Sequence, residues 1–359
     1  MTDTAYTIAV LPGDGIGPEV ISSTLEILDS VTVKHGLKLT YKHFEAGAEF
    51  YEKTGESISM PTMEEIGTAH AVLLGAMGLP RIRKDDGTEI APQIDIREHY
   101  GLFASLRPVK LFQGVPAPLS SGRADMLIIR ETTEGLFAGR HDKQEPSDEA
   151  VSDRLTITRS TSEKLFTLAF SQARVRKEAG SEGRVTLFDK ANVLRSNAFL
   201  RKIFYEIAEK NKDIKADHLY IDAASMTMVL DPGRFDVIVT ENVFGDVVSE
   251  LGAGIVGGLG VAPSGDVSEE HGVFQPCHGT APDIEGKNIA NPIATILSSA
   301  MMFDWLDMRH EDKNCKAVAE ELRSVTEKLL AKGVKTADIG GKASTTDITQ
   351  AYIQELQSS

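Results

Sequence analysis

Residues 235–254 read FDVIVTENVFGDVVSELGAG and carry the pattern of a strand followed by a helix. The run Phe235 to Val239 is apolar and β-branched, which is typical of a strand. Asp246 and Glu250 then stand four residues apart, so a helix here would place both carboxylates on one face. Small molecules bind to open α/β sheets at the carboxyl ends of the strands. Carboxylate oxygens at such a position are suitable ligands for Mg²⁺ or Mn²⁺. Alternatively, the two acidic residues only complement the dipole at a helix N-terminus.

The composition limits the class of protein. The chain has 359 residues, enough for two domains, and its 41% apolar and 25% charged residues are ordinary for a globular protein. The formal net charge of −15 argues against nucleic acid or an anionic membrane as a partner, because both select for basic surfaces. A local cluster of arginines can still bind an anionic small molecule inside an acidic protein.

The cysteines and the apolar runs bear on the location of the protein. Cys277 and Cys315 form no disulfide framework and no metal-ligand spacing, which favours a reducing, cytoplasmic location. The first six residues are polar and the apolar run after them ends at Pro12, so we expect no signal peptide. No apolar run approaches the length of about 20 residues that a bilayer crossing requires. We therefore expect no membrane partner.

Strands and helices alternate along the chain. The first strand, TIAVL at residues 7–11, runs into PGDGIGPEV and a helix from Pro18 to Val33. The glycine spacing there is not G-x-G-x-x-G, so the Rossmann dinucleotide fingerprint is not met. Ser160 and Glu163 predict a capping box that begins a helix to Lys177. The other predicted strands are residues 39–44, 71–74, 103–110, 126–129, 184–188, 218–221 and 235–239. This alternation predicts an α/β fold with a largely parallel sheet.

Three arginines lie at or near the ends of predicted elements. Arg97 lies in a predicted helix, Arg107 precedes Pro108 in a strand and is therefore extended, and Arg130 ends another strand. Each one alone fits a surface salt bridge. Together they are more typical of a clamp for carboxylates, because the planar guanidinium pairs with a carboxylate through two hydrogen bonds.

Two further regions have the character of a site. Lys190 and Asp222 each follow a predicted strand, where catalytic groups are commonly found. Residues 275–292 form a loop interrupted by glycine and proline, and a long ordered loop of this kind suggests a binding loop. Asp283 in that loop can accept hydrogen bonds from both ribose hydroxyls and would repel a 2′-phosphate, which favours NAD over NADP. His278 alone is more typical of a structural histidine.

Seven motifs resemble those of the β-decarboxylating dehydrogenases, a family that includes 3-isopropylmalate, isocitrate, homoisocitrate and tartrate/D-malate dehydrogenases. The motifs are LPGDGIGPEV at 11–20, LFASLRPVK at 102–110, IIRETTEG at 128–135, DKANVLR at 189–195, FGDVVSELGAG at 244–254, HGTAPDIEGKNIANP at 278–292 and ILSSAMM at 296–302. They follow the order of the family and span nearly the whole chain. The overall pattern is most similar to that of the 3-isopropylmalate dehydrogenases.

The resemblance implies a two-domain α/β fold that is distinct from the Rossmann fold and has a discontinuous first domain. Residues 1–101 with 255–359 would form the cofactor-binding domain, and residues 102–254 the substrate and dimerisation domain. The active site would lie between the domains of a homodimer, and each site would borrow residues from the second subunit.

The resemblance also implies roles for individual residues. The carboxylates of a malate-type substrate would be held by Arg97, Arg107 and Arg130. A Mg²⁺ or Mn²⁺ ion would be bound by Asp246 and Glu250, together with Asp222 of the second subunit. The catalytic residues would be Lys190 and Asp222, both from that subunit, which would accept the hydroxyl proton of the substrate. NAD would be the second cofactor, bound by Gly75, Asn192, His278, Gly279, Thr280, Ala281, Asp283, Ile284 and Asn291.

The sequence departs from the family at several positions. Phe137 stands where the family has a tyrosine that donates a proton to the product, and a phenylalanine has no proton to give. Glu250 is one methylene longer than the usual aspartate. Gln93 and Ile94, one turn before Arg97, lie in the region that selects the third substituent of the substrate and match neither the isopropylmalate nor the isocitrate pattern.

The expected activity is NAD- and metal-dependent oxidative decarboxylation of a 2-hydroxy acid with a β-carboxylate, 3-isopropylmalate or a close malate analogue. The alternatives are an isocitrate, homoisocitrate or tartrate/D-malate dehydrogenase. A further alternative is a catalytically impaired regulatory subunit of the same fold, which Phe137 favours and the retained Lys190, Asp222 and Asp246 oppose.

Overall fold

The structure is a computed structural model that describes residues 4–118, 123–141 and 149–358. Within it the chain divides into two compact units. Unit 1 comprises Met1–Tyr100, Phe112–Ala117 and Gly257–Ser359, and unit 2 comprises Gly101–Leu111 and Pro118–Val256. Unit 1 is thus discontinuous. It includes residues 112–117, which we predict for the second domain, whereas residues 101, 255 and 256, which we predict for the first domain, lie in unit 2.

Strands and helices alternate over the described residues. The strands are β1 (Thr4–Leu11), β2 (Leu37–His43), β3 (Ala71–Leu74), β4 (Ala104–Lys110), β5 (Asp125–Glu131), β6 (Arg184–Asp189), β7 (Lys215–Tyr220), β8 (Val237–Thr240), β9 (Pro263–Val267) and β10 (Gly272–Pro276). The helices are α1 (Gly17–Lys34), α2 (Ala48–Thr54), α3 (Met60–Ile66), α4 (Pro92–His99), α5 (Arg159–Glu178), α6 (Arg195–Ala208), α7 (Ile221–Leu230), α8 (Asn242–Ile255), α9 (Ile293–His310), α10 (Lys313–Ala331) and α11 (Thr345–Ser358).

In unit 1 the strands lie in the order β2-β1-β3-β10-β9. All neighbours are parallel except β10 and β9, which pair antiparallel. Strand β3 and the second half of β1 are short apolar runs, and Ile8 to Leu11 of β1 are fully buried. Helix α9 is a central helix of this unit, because every residue from 293 to 303 is buried. Small and apolar side chains in that stretch allow close packing on the sheet.

In unit 2 the strands lie in the order β4-β5-β8-β6-β7. Here β4 and β5 are antiparallel and the other pairs are parallel. The core of the unit contains Ile128, Phe188, Ile238 and Val248, all fully buried. Val248 belongs to α8, so this helix packs its apolar face on the sheet and turns its other face away from the core.

The α/β fold with a largely parallel sheet is confirmed, and every predicted strand overlaps a strand of the structure. The capping box predicted at Ser160 is wrong. Helix α5 begins at Arg159, and the side chain of Thr158 accepts a hydrogen bond from the backbone of Thr161. Strands β9 and β10 and helices α2, α3, α7, α10 and α11 were not predicted. Among the described helices, none combines the length and the apolar character that a membrane crossing requires.

The contact of α8 with the sheet generates a prediction about stability. A Cβ atom at Gly252 would lie 2.7 Å from Val109 Cγ2 and 3.2 Å from Ile128 Cδ1, whereas one at Gly254 would meet no atom within 4 Å. We therefore expect Gly252→Ala to lower the free energy of unfolding by about 1–3 kcal/mol, since overpacking forces the helix off the sheet.

The matched control is Gly254→Ala on the same helix, which we expect to raise the free energy of unfolding by about 0.5 kcal/mol, because alanine is the better helix former. Urea unfolding followed by circular dichroism measures both changes. Equal effects of the two substitutions would show that α8 does not pack as the structure shows.

Candidate active site

The guanidinium group of Arg130, at the end of β5, is the centre of the predicted site in unit 2. Its side chain is only 3% exposed and forms an ion pair with Asp246. Nε and Nη2 also donate hydrogen bonds to Asn242 Oδ1 at 3.2 and 2.8 Å. The ring of Phe137 covers the group, with its centroid 5.3 Å from Cζ. The structure therefore brings together Arg130, Asp246 and Phe137, three residues that sequence reasoning selected.

Asn242 is a residue of this cluster that sequence reasoning missed. It is fully buried at the start of α8, and its Nδ2 donates to the carbonyl oxygen of Glu134 at 2.9 Å. The Glu134 carboxylate in turn accepts a hydrogen bond from the backbone of Thr158 at 2.8 Å. Asn242 thus ties Arg130 to the segment that follows β5. An uncharged amide gives no charge pattern, so its only signal in the sequence was its place after strand β8.

Gly245 and Glu241, at the start of α8, allow the helix to lie close to Arg130. A Cβ atom at Gly245 would lie 2.5 Å from Arg130 Cγ, so only glycine lets the helix come this close. Glu241 caps the helix, because its carboxylate accepts hydrogen bonds from the backbone N–H groups of Val243 at 3.1 Å and Phe244 at 2.9 Å. Burial raises the pKa of Glu241, and the backbone hydrogen bonds and Arg130 oppose that rise.

Asp246 and Glu250 lie one turn apart on α8, as predicted. The Asp246 side chain is 46% exposed, and Glu250 is exposed as well. Burial raises the pKa of Glu250; the nearby charge of Arg107 lowers it, Asp246 raises it and Arg130 lowers it. Two neighbouring carboxylates of this kind gain from a bound cation, and the all-oxygen donor set fits Mg²⁺ or Mn²⁺.

One described chain does not complete a metal site. Among the described residues, no group of three or more histidine, cysteine, aspartate or glutamate side chains is placed to hold a metal ion. Asp222, the third predicted ligand, therefore does not join Asp246 and Glu250 within the chain. Arg107 does lie near them: it is buried on β4, and its Nε donates to Ser105 Oγ at 2.9 Å.

Lys190 and Asp222 form a pair just beyond the neighbouring strands β6 and β7. Lys190 Nζ lies 2.7 Å from Asp222 Oδ1, and this hydrogen bond lowers the pKa of Asp222. Lys190 follows β6, and Asp222 lies in the first turn of α7 rather than at the end of a strand. The backbone N–H of Lys190 donates to Asn197 Oδ1 at 2.9 Å, which fixes the turn. Asn192, two residues further on, is exposed.

In unit 1, Arg97 of α4 is paired with a carboxylate that sequence reasoning missed. Its Nε donates to Asp266 Oδ2 at 2.7 Å. One turn earlier, the buried Oε1 atom of Gln93 accepts no hydrogen bond from the described residues. Ile94 beside it is partly buried. Asp266 lies on β9, a strand that was not predicted, so its proximity to Arg97 was not visible in the sequence.

The predicted cofactor loop lines a cleft of about 280 Å³ in unit 1. His278, Ile284 and Asn291 line it, together with Asp338. Burial lowers the pKa of His278, and its buried Nε2 finds no hydrogen-bond partner among the described residues. Asn291 Nδ2 donates to Asp338 Oδ2 at 3.0 Å. Apolar walls with a few polar groups are typical of a ligand site. His278 Nε2, which has no hydrogen-bond partner among the described residues, suits an adenosine-type group such as that of NAD.

The rest of the loop is held against the glycine-rich turn after β1. Thr280 is buried, and its Oγ1 donates to the carbonyl oxygen of Gly78 at 2.7 Å. A Cβ atom at Gly15 would lie 2.2 Å from the carbonyl oxygen of Thr280. A Cβ atom at Gly75 would likewise lie 2.0 Å from the carbonyl oxygen of Pro12. Both glycines are therefore needed for close backbone approach.

Three loop residues remain for which the structure shows no role toward a ligand. Ala281 has a φ of 36°, a backbone conformation that is costly for a residue other than glycine. Gly279 and Asp283 are not among the residues that line the cleft, and Asp283 is exposed. The predicted ribose contact of Asp283 stays a prediction.

The chain is similar over nearly its whole length to known dehydrogenases. The profile of the isocitrate/isopropylmalate dehydrogenase family matches residues 7–353. The 3-isopropylmalate/3-methylmalate dehydrogenase of Methanocaldococcus jannaschii is 40% identical over 98% of this chain and 99% of the relative. The structure of isocitrate dehydrogenase from Methylococcus capsulatus has a TM-score of 0.84 at 29% identity, covering 98% of this chain and 99% of that chain. A β-decarboxylating dehydrogenase from Thermococcus kodakarensis has a TM-score of 0.82 at 33% identity, covering 98% and 96%.

The raised pKa of Glu241 generates a prediction about pH. A carboxyl group whose pKa is higher in the folded than in the unfolded state takes up protons on folding, so its contribution to stability falls as pH rises from 4.5 through the raised value. Glu241→Gln removes this loss, because the amide does not ionise. We therefore expect the free energy of unfolding of the variant, relative to the native chain, to increase with pH above 4.5.

Urea unfolding at a series of pH values measures this difference. The native chain, measured in parallel at each pH value, is the reference. If the free energy of unfolding of Glu241→Gln, relative to the native chain, stays constant or falls as pH rises, the pKa of Glu241 is not raised by burial.

Proposed function

The chain belongs to the isocitrate/isopropylmalate dehydrogenase family, and we propose that it catalyses the NAD- and divalent-metal-dependent oxidative decarboxylation of a 2-hydroxy acid with a β-carboxylate. The substrate is 3-isopropylmalate or a close malate analogue. The observation that carries the proposal is the cluster in unit 2, where Arg107 and Arg130 lie near the carboxylates of Asp246 and Glu250. Guanidinium groups for an anionic substrate beside oxygen ligands for a cation are what such a reaction requires.

The residues of the chain have separate tasks in this reaction. Arg97, Arg107 and Arg130 bind the carboxylates and orient the substrate. Lys190 and Asp222, whose Nζ and Oδ1 atoms lie 2.7 Å apart, together accept the proton of the substrate hydroxyl, directly or through water. A cation held by Asp246 and Glu250 would supply stabilisation of negative charge on the substrate oxygen, and a dinucleotide held by the cleft in unit 1 would supply a hydride acceptor.

A homodimer would complete the metal site. Within one chain Asp246 and Glu250 lack a third acidic ligand among the described residues, and Asp222 of a second copy would supply it. Helices α7 and α8 expose large apolar side chains that a second copy would cover. They are Met226 at 59%, Leu230 at 74% and Val247 at 62% exposure. The same association would bring Lys190 to the site of the other copy.

The cleft in unit 1 is the proposed NAD site. His278, Ile284 and Asn291 line it, and Asp283 is the proposed contact to the ribose hydroxyls. The remaining cofactor contacts are proposed for Gly75, Asn192, Gly279, Thr280 and Ala281. Neither Cys277 nor Cys315 forms a disulfide within the described residues, which supports a reducing, cytoplasmic location.

A hydroxyl-bearing substrate is the second candidate. The buried Oε1 of Gln93 accepts no hydrogen bond from the described residues, so it favours a substrate whose third substituent donates one. A tartrate-type acid has such a hydroxyl, whereas 3-isopropylmalate has an apolar group there. Phe137 provides no proton in either case, so the final proton of the reaction would come from another donor, such as water or His141.

A substrate panel tests the proposed function. The purified chain is incubated with NAD⁺ or NADP⁺, Mg²⁺ or Mn²⁺, and 3-isopropylmalate, 3-methylmalate, D-malate, tartrate, isocitrate or homoisocitrate, and NADH and CO₂ are measured. We expect NADH and CO₂ in equal amounts from one acid, with NAD⁺ preferred and with no product after chelation of the metal. No NADH from any acid would instead support a regulatory subunit, and NADH without CO₂ a plain dehydrogenase.

The shared site generates a prediction about mixtures of inactive chains. Lys190→Met and Asp246→Asn should each abolish turnover alone. Subunits that are mixed, unfolded and refolded together should regain about a quarter of the native activity, since half of the dimers are mixed and each has one intact site.

A mixture of Lys190→Met with Asp222→Asn is the control, because both residues belong to the same half of the site and no intact site can form. Recovery in neither mixture would contradict a site that is shared between chains.

A further inference from the structure

Arg97 and Asp266 form a buried ion pair within unit 1. Arg97 Nε donates to Asp266 Oδ2 at 2.7 Å, and the two side chains are 9% and 1% exposed. Gln275 Nε2 lies 3.5 Å from the same oxygen. Asp266 is held on β9, where it pairs with Val273 of the neighbouring strand. The carboxylate therefore has a fixed position, and the guanidinium is attached to it through one atom.

Stability alone does not explain this pair. Removing two charges from water is costly, and apolar residues of similar volume commonly stabilise a fold as well or better. The guanidinium also retains unused donors, because the terminal amino groups of Arg97 donate no hydrogen bond to the residues that the structure describes. A guanidinium that is fixed through Nε and has both terminal amino groups available can donate two hydrogen bonds to the two oxygens of a carboxylate ligand.

Arg130 provides a comparison within the same chain. There the amide of Asn242 accepts from Nε and Nη2, and Asp246 pairs with the remaining amino group. Both arginines are thus fixed through Nε by a partner on another element. Asn242 is neutral, however, whereas Asp266 brings a full negative charge to Arg97.

We propose that Asp266 is a positioning residue for the reaction. It holds Arg97 in one orientation and compensates its charge while no substrate is bound, so that the terminal amino groups are ready for a carboxylate of the 2-hydroxy acid. This inference rests on the proposed function, in which Arg97 binds that carboxylate. Such preorganisation reduces the loss of side-chain freedom on binding and strengthens binding of the acid without contact between Asp266 and the substrate.

Steady-state kinetics of Asp266 and Arg97 variants test the inference, with the acid that the substrate panel identifies. We expect Asp266→Asn to raise KM for the acid about tenfold or more, because an arginine without its partner is no longer fixed or compensated. KM for NAD⁺ should not change. Asp266→Glu keeps the charge and should raise KM for the acid less than Asp266→Asn.

A double-mutant cycle separates positioning from a general effect on the fold. In the Arg97→Met background, Asp266→Asn should change KM for the acid little, because its only route to the substrate is through Arg97. That double variant also removes both buried charges, so it provides a folded protein if Asp266→Asn alone does not fold. Asp304→Asn, which breaks the ion pair with Arg323 elsewhere in unit 1, is the matched control and should leave both KM values unchanged.

The possible failures are distinguishable. Two outcomes would overturn the positioning role and leave the proposed function standing. In the first, the factors by which Asp266→Asn and Arg97→Met each raise KM for the acid multiply in the double variant. In the second, Asp266→Asn raises KM for the acid and KM for NAD⁺ by the same factor. A native chain that turns over no acid of the panel, and binds none in calorimetric titrations with Mg²⁺, would overturn both.

Discussion

The buried charge of Arg130 is the constraint on which the arrangement of unit 2 depends. A guanidinium that is 3% exposed must be paired, because an uncompensated buried charge is far too costly to keep. Its partners, Asn242 and Asp246, both lie on α8, so satisfying the charge fixes where this helix begins. Gly245 admits the helix to that position, and the cap by Glu241 stabilises its first turn. The carboxylates of α8 are therefore placed by the same contacts that neutralise the arginine.

Much of the fold was predictable from local patterns. Apolar runs such as residues 7–11 and 235–239 marked the strands, and the spacing of Asp246 and Glu250 correctly placed both on one helix. The helix start at Ser160 was wrong because Thr158 competes for the same cap. Strand β9 was not predicted because its sequence, PSGDV, is polar and contains glycine and proline. It is a strand only because it pairs with neighbouring strands.

The contacts that shape the site were less predictable, because they join residues far apart in the chain. Asp266 lies 169 positions from Arg97, and Asn242 lies 112 positions from Arg130. Neither partner belongs to a spacing pattern, and each becomes meaningful only when the fold brings it to an arginine. Motifs therefore identified the groups that we propose to bind a substrate, whereas the groups that hold them became visible only in the structure.

The imidazole of His278 has a consequence for what the cleft in unit 1 can hold. Burial lowers the pKa of the ring, which favours its uncharged form. Nδ1 lies 3.0 Å from the carbonyl oxygen of Gly279, which can only accept a hydrogen bond, so in the uncharged ring Nε2 is left as an acceptor. A molecule in the cleft would therefore meet this nitrogen with a group that donates a hydrogen bond.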